Sequence, residues 1–190
     1  MIDLLYSIDL GIFYFFNHTL STGILDKFFG YITNVNHWYL VYVILLFICF
    51  KYGGKRGKIA AISTIFLILV SDQFGASIIK PLLGRIRPCN VLTDALTPLG
   101  CTGSYSFPSN HALNNFAAAV FFYRLFPKLK IILLVVASLM AISRVYLGLH
   151  YPSDILGGAI IGAGIGYLFA SAALKIEEYL DKKKKVIESE

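Results

Sequence analysis

Apolar residues in this chain form long runs, and most charged residues lie in the gaps between them. About 20 apolar residues are needed to cross roughly 30 Å of hydrocarbon. On that scale five runs predict spanning helices, at residues 37–50, 59–79, 112–126, 131–149 and 155–174. The first and third are short and need interfacial flanks, which His37, Trp38, Tyr39 and Tyr42 supply for one and Tyr123 and Phe126 for the other. The opening run, residues 2–20, is aromatic-rich but carries Asp3 and Asp9, and both an interfacial helix and an extra span fit it. No Lys or Arg precedes Lys27, so the basic region of a signal peptide is missing and the N-terminus is expected to be retained. The pattern predicts an all-α integral membrane bundle of five to six transmembrane helices with an N-terminal interfacial or spanning helix. It forms one domain over residues 1–190, made of N-terminal helices (1–36), a helical bundle (37–174) and a cytoplasmic tail (175–190).

Composition agrees with this frame: 57% of residues are hydrophobic and 15% are charged, too apolar a balance for an ordinary soluble domain. The net charge of +6 does not call for a nucleic-acid partner, because the basic residues sit in short gaps where the positive-inside rule accounts for them. Lys51, Lys55, Arg56 and Lys58 mark one cytoplasmic loop, Arg124, Lys128 and Lys130 a second, and Lys182, Lys183, Lys184 and Lys185 the tail. Alternation then brings residues 80–111 and 150–154 together on the outer side. Three polar segments, KPLLGRIRP, PSNH and SRVYLGLHYPSD, thereby converge at one membrane face.

Their chemistry suits phosphate. A phosphoryl group in transfer spreads negative charge over its oxygens, which fixed cations and N–H donors can meet. Lys80, Arg87 and Arg144 supply the cations. Arginine offers a planar fork that matches two phosphate oxygens and keeps its charge when desolvated. Lys80 and Arg87, taken alone, are also explained as snorkelling residues at the end of a span. Arg144 is not, since it lies five residues, about 8 Å at 1.5 Å per residue, inside an apolar run. Ser109 or Asn110 can cap the helix that follows, whose first N–H groups favour an anion. His111 would stand at that helix start, placed to protonate a leaving oxygen. Pro152 biases Tyr151 away from helix, so a turn at Tyr151 and a helix start near Ser153 are expected. Asp154 in the first turn would then reach back to one nitrogen of His150 and leave the other free to attack phosphorus.

The order Lys, six residues, Arg-Pro, then Pro-Ser-x-His, then Ser-Arg, five residues, His, three residues, Asp resembles the three-part signature of the type 2 phosphatidic acid phosphatase superfamily of membrane lipid phosphatases. The resemblance covers residues 80–154. It implies that His150 is the nucleophile, Asp154 its orienter and His111 the general acid. It also implies that Lys80, Arg87, Ser109, the Asn110 N–H and Arg144 bind the phosphate of the substrate. The family usually has glycine where this chain has Asn110. Asparagine tolerates unusual backbone angles, and its amide is a further candidate for contact with substrate.

The expected activity is hydrolysis of a terminal phosphate from an envelope lipid at the outer face of a bacterial inner membrane. Lipid A 1-phosphate, undecaprenyl diphosphate, phosphatidylglycerophosphate and phosphatidic acid are the substrates that the resemblance offers. No metal or other cofactor is expected, since no cluster of ligand residues with metal spacing is present. The alternative class is a protein that binds or transports an anionic lipid with the same cations, although the internal repeats of transporters are missing. The related vanadium haloperoxidases share the oxyanion site but are larger and soluble. Asp72, inside a predicted span, is expected to make a polar contact between helices. Gly158, Gly162 and Gly166 are expected to allow close packing within the chain. Cys89 and Cys101 fit either a disulfide or two free thiols.

Overall fold

The computed structural model describes residues 2–189, with side chains from Leu4 to Glu188; the Asp3 side chain lies outside that range. The described residues are helical with no strand. The chain opens with α1 (Ile2–Tyr14), extended by a π turn (Phe15–Thr19), followed by α2 (Gly23–Thr33). The bundle contains α3 (Tyr39–Tyr52), α4 (Gly54–Gln73), α7 (Asn110–Leu125), α8 (Lys130–Tyr146) and α9 (Pro152–Ser189). A π segment (Phe74–Ile79) continues α4 into the short α5 (Lys80–Leu83), and α6 (Pro88–Val91) opens the long loop before α7.

All five predicted spans are helices, with two shifts. The basic residues 55–58 stand in the first turns of α4 rather than in a loop, because the α3–α4 connection is the single residue Gly53. The tail continues as helix: α9 is 38 residues long, about 57 Å at 1.5 Å per residue, so it outruns the hydrocarbon.

The bundle is built inside out by soluble standards. Its centre is small, with Ala60, Ala117, Ala170 and Ala173 around Leu67, Phe121 and Leu125. Large apolar side chains such as Phe66, Ile131 and Leu168 face outward. Between lipid tails, apolar burial does not drive helices together, so close backbone contact must do it. α7 and α9 show how. A Cβ at Gly158 would lie 2.7 Å from the Ser109 carbonyl oxygen, and one at Gly162 or Gly166 would collide with the carbonyl of Leu113 or Ala117. The small-residue stripe of α9 therefore serves packing within the chain, as expected.

Ion pairs Lys55–Asp181 and Arg56–Glu177, with Arg56 donating to the Leu125 carbonyl, gather the start of α4, the end of α7 and the tail at one end. The three polar motifs lie at the other end. α1 crosses that second end. Asp9 bonds Arg85 and Ser153, while Asn17, two turns on, donates to the carbonyls of Leu96 and Tyr146. Asp9 of α1 and Asn17 of the π turn thus touch loops of the same end.

Gly162→Val should force α7 and α9 apart and cost about 1–3 kcal/mol through overpacking. Gly164→Val, at an exposed position with nothing within 4 Å of its Cβ direction, should leave the unfolding midpoint in detergent unchanged.

Candidate active site

Four segments meet at the site: the α5–α6 turn, the loop into α7, the end of α8 and the start of α9. The α8–α9 connection is set by Gly148, whose φ of 74° suits glycine and whose Cβ would lie 2.5 Å from the Leu96 carbonyl oxygen. The chain then doubles back, and the His150 N–H bonds the Arg144 carbonyl at 3.2 Å. α9 starts at Pro152, one residue before the expected start, and Asp154 lies in its first turn.

His150 and Asp154 are both fully buried. Arg87 Nη1 donates to the Leu149 carbonyl at 2.9 Å and stands 2.8 Å from His150 Nε2. A guanidinium has only N–H donors, so Nε2 is the acceptor there and the imidazole proton belongs on Nδ1. That nitrogen faces Ser106 Oγ at 3.4 Å and Asp154 Oδ2 at 3.5 Å. Burial, opposed in part by Asp154, pushes the His150 imidazole down to about 3, which keeps it neutral with a lone pair on Nε2.

Lys80 is buried, and its Nζ donates to the carbonyls of Tyr105, Ser106 and Pro108 at 2.6, 3.3 and 2.8 Å. Arg87 also donates from Nε to the Ser104 carbonyl and from Nη2 to Ser104 Oγ. Two cations thus shape the loop that delivers Ser109. Ser109 caps α7 by accepting from the Ala112 N–H, and its own N–H bonds the Asp154 carbonyl at 3.1 Å. His111 Nε2 and Arg144 Nη1 converge on Thr33 at the end of α2, the first 3.3 Å from its carbonyl and the second donating to Oγ1 at 2.8 Å. Arg144 Nε is buried with no hydrogen-bond partner.

The Asn110 amide donates to Asp72 Oδ1 at 2.9 Å, beside Asn114, which donates to the same oxygen at 3.0 Å. Asp72 thereby makes the interhelical contact expected of it. Cys89 and Cys101 form a disulfide, resolving the open pair.

Four participants were not singled out from sequence: Arg85, Ser106, Thr33 and, as a site residue, Asp9. Arg85 Nη1 donates to Asp154 Oδ1 at 2.6 Å and Nη2 to Asp9 Oδ2 at 2.6 Å. Its place two residues before Arg87 was the available signal. Asp9 offered another, as a carboxylate in an apolar helix. Ser106 Oγ donates to Asp154 Oδ2. Arg85 holds Asp9 and Asp154, and none of Lys80, Arg87 and Arg144 has a carboxylate within ion-pair distance among the described residues. Cations served only by neutral acceptors keep an uncompensated positive charge, which is what an anion site requires. No group of three or more His, Cys, Asp or Glu side chains gathers as metal ligands among the described residues.

A sequence profile of the PAP2 superfamily matches residues 60–177, which include all three motifs. The chain belongs to the PAP2 superfamily. It is a membrane lipid phosphatase of that family. Its relatives include a lipid A 4'-phosphatase of Bacteroides thetaiotaomicron, 35% identical over 93% of this chain and 81% of that one. Phosphatidylglycerophosphatase B of Bacillus subtilis is 32% identical over 61% of this chain and 60% of its own length. Among solved PAP2 structures, the transmembrane phosphatidylglycerolphosphate phosphatase of Bacillus subtilis superposes with a TM-score of 0.67 at 27% identity, covering 91% of this chain and 88% of that one. Aquifex aeolicus LpxE shares the fold, with a TM-score of 0.66 at 24% identity over 86% of this chain and 95% of that one.

In this PAP2 site Lys80 has a structural task, holding the loop before α7 through three carbonyls. Lys80→Met leaves three carbonyls without their donor and should lower stability by about 1–3 kcal/mol. An unchanged unfolding midpoint in detergent would limit Lys80 to a role with substrate.

Proposed function

We propose that this PAP2 protein removes a phosphate from lipid A at the outer face of a bacterial inner membrane, through a phosphohistidine on His150. The observation that carries the mechanism is the pairing of His150 Nε2 with Arg87 Nη1 at 2.8 Å. A phosphoryl oxygen accepting that N–H sets phosphorus beside the lone pair of Nε2. Arg144, with a buried donor to spare, and the N–H groups at the start of α7 meet the remaining oxygens. Nε2 then bonds to phosphorus as the bond to the lipid oxygen breaks, and His111, whose protonation the arriving phosphate anion favours against the burial that opposes it, gives its proton to that oxygen. Asp154 steadies the charge that develops on the imidazole. A water next gives its proton to His111, bonds to phosphorus and frees His150, releasing inorganic phosphate.

The substrate class rests on the lipid A 4'-phosphatase of Bacteroides thetaiotaomicron, whose similarity runs over 93% of this chain. The 4'-phosphate therefore precedes the 1-phosphate, undecaprenyl diphosphate, phosphatidylglycerophosphate and phosphatidic acid. Two features support the outer face. The basic ends of α4 and α8 lie opposite the site, and the site loop carries the Cys89–Cys101 disulfide, which persists in oxidising compartments.

Purified protein with EDTA present should release phosphate from lipid A faster than from the other three lipids. His150→Ala should lose roughly 10⁴-fold or more in kcat. Rapid quenching with labelled lipid should leave an acid-labile label on wild-type protein only. Turnover that survives His150→Ala removes the histidine mechanism, and lipid binding without release by either form assigns the protein to the binding or transport class.

A further inference from the structure

Asp154 carries its charge where water cannot reach it: its side chain is 0% exposed. A buried carboxylate keeps its charge only when donors replace the lost hydration. Oδ2 accepts from the Tyr151 N–H at 2.9 Å and from Ser106 Oγ, and the same oxygen faces His150 Nδ1 at 3.5 Å. Oδ1 accepts from Arg85 Nη1 at 2.6 Å, the one ion pair that Asp154 makes with a permanent cation among the described residues. With Oδ1 on Arg85 and Oδ2 on the Tyr151 N–H and Ser106 Oγ, the carboxyl group presents Oδ2 to His150.

Arg85 is itself held from two sides. Its guanidinium lies over the Tyr151 ring, 4.2 Å from the centroid, and Nη2 donates to Asp9 Oδ2 at 2.6 Å. Asp9 is buried on α1 and accepts from the Ser153 N–H at 2.8 Å and from Ser153 Oγ. Arg85 Nη1 closes the ring by also donating to Ser153 Oγ at 2.6 Å. The outer face of α1, with Leu4, Leu5, Ile8 and Ile12, stays exposed for the bilayer.

We propose that Arg85 is a positioning residue that orients Asp154 toward His150, and that Asp9 on α1 holds Arg85 in place, which makes the first helix part of the catalytic apparatus. Neither residue touches substrate in this scheme. Arg85 acts through Asp154, and Asp9 acts through Arg85. The inference rests on His150 being the nucleophile, and the experiment separates the two ideas.

Steady-state kinetics and the rate of label transfer to the enzyme would be compared for wild type, Arg85→Ala, Arg85→Lys, Asp9→Asn and the Arg85→Ala/Asp9→Asn double variant. His150→Ala serves as the control for the underlying mechanism. Arg85→Ala should lower kcat and label transfer together by about 30-fold with KM changed by less than about 2-fold, and Arg85→Lys should recover part of the loss. Asp9→Asn should lower kcat by about 5-fold in the wild-type background and hardly at all once Arg85 is gone, since coupled residues are not additive. A kcat for Arg85→Ala within about 2-fold of wild type overturns the proposal. So does a loss that falls on KM, which would place Arg85 on the substrate. Multiplying effects of Asp9→Asn and Arg85→Ala would cut α1 out of the relay. Should Arg85→Ala fail to fold, Arg85→Lys and Asp9→Asn decide the matter, because both preserve size or charge. For these the prediction is a lower kcat measured on folded protein at a temperature well below its unfolding midpoint, and an unchanged kcat overturns it. Turnover remaining in His150→Ala would count against the nucleophile and leave the Arg85 comparison to be read on its own.

Discussion

A single buried carboxylate, Asp154, constrains this structure more than any other group. Removing a carboxylate from water costs several kcal/mol unless donors surround it. Here the donors come from separate segments: Arg85 after α5, Ser106 before α7 and the Tyr151 N–H before α9. The backbone of the same residue accepts from the Ser109 N–H. Satisfying Asp154 therefore fixes the relative positions of three loops, and those loops carry Arg87, Ser109 and His150. The geometry of the site follows from the solvation demand of one side chain.

That arrangement is possible because α7 and α9 come close enough for their first turns to share hydrogen bonds. Glycines at 158, 162 and 166 allow the approach, and the small-residue core keeps it uniform along the helices. A larger residue at 158 would widen the gap at Ser109, whose carbonyl Gly158 faces. Packing in the membrane and positioning at the membrane surface are thus one problem, solved by one helix pair.

The helices and the gathering of the motifs at one end were legible because they depend on run length and on the sign of loop charge, both local properties. The turn at Tyr151 was legible from Pro152. Partners far apart in sequence were not. Thr33 holds Arg144 across 111 positions, and Asp9 meets Ser153 across 144, with no periodicity to announce either contact. Asn110 shows a different limit. Its neighbours in sequence suggested a polar side chain at a phosphate site, but Asp72, 38 positions earlier on a facing helix, takes the amide. The choice between Arg85 and Arg87 was likewise invisible: two arginines of one segment divide the work, one neutralised by carboxylates and one left beside His150.

That division explains how an apolar bundle keeps three cations free of carboxylates. Between Lys51 and Lys175 the chain has only Asp72, Asp94 and Asp154 as carboxylates. Asp72 accepts from two amides, Asp94 from the Tyr14 hydroxyl, and Asp154 pairs with Arg85. Asp9, arriving from α1, also goes to Arg85. Each carboxylate near Lys80, Arg87 and Arg144 is thereby committed elsewhere. Had any of them reached Arg87, the guanidinium would be neutralised and the lone pair of His150 would lose its donor. The positive field of the site depends as much on where the carboxylates are tied down as on where the cations stand.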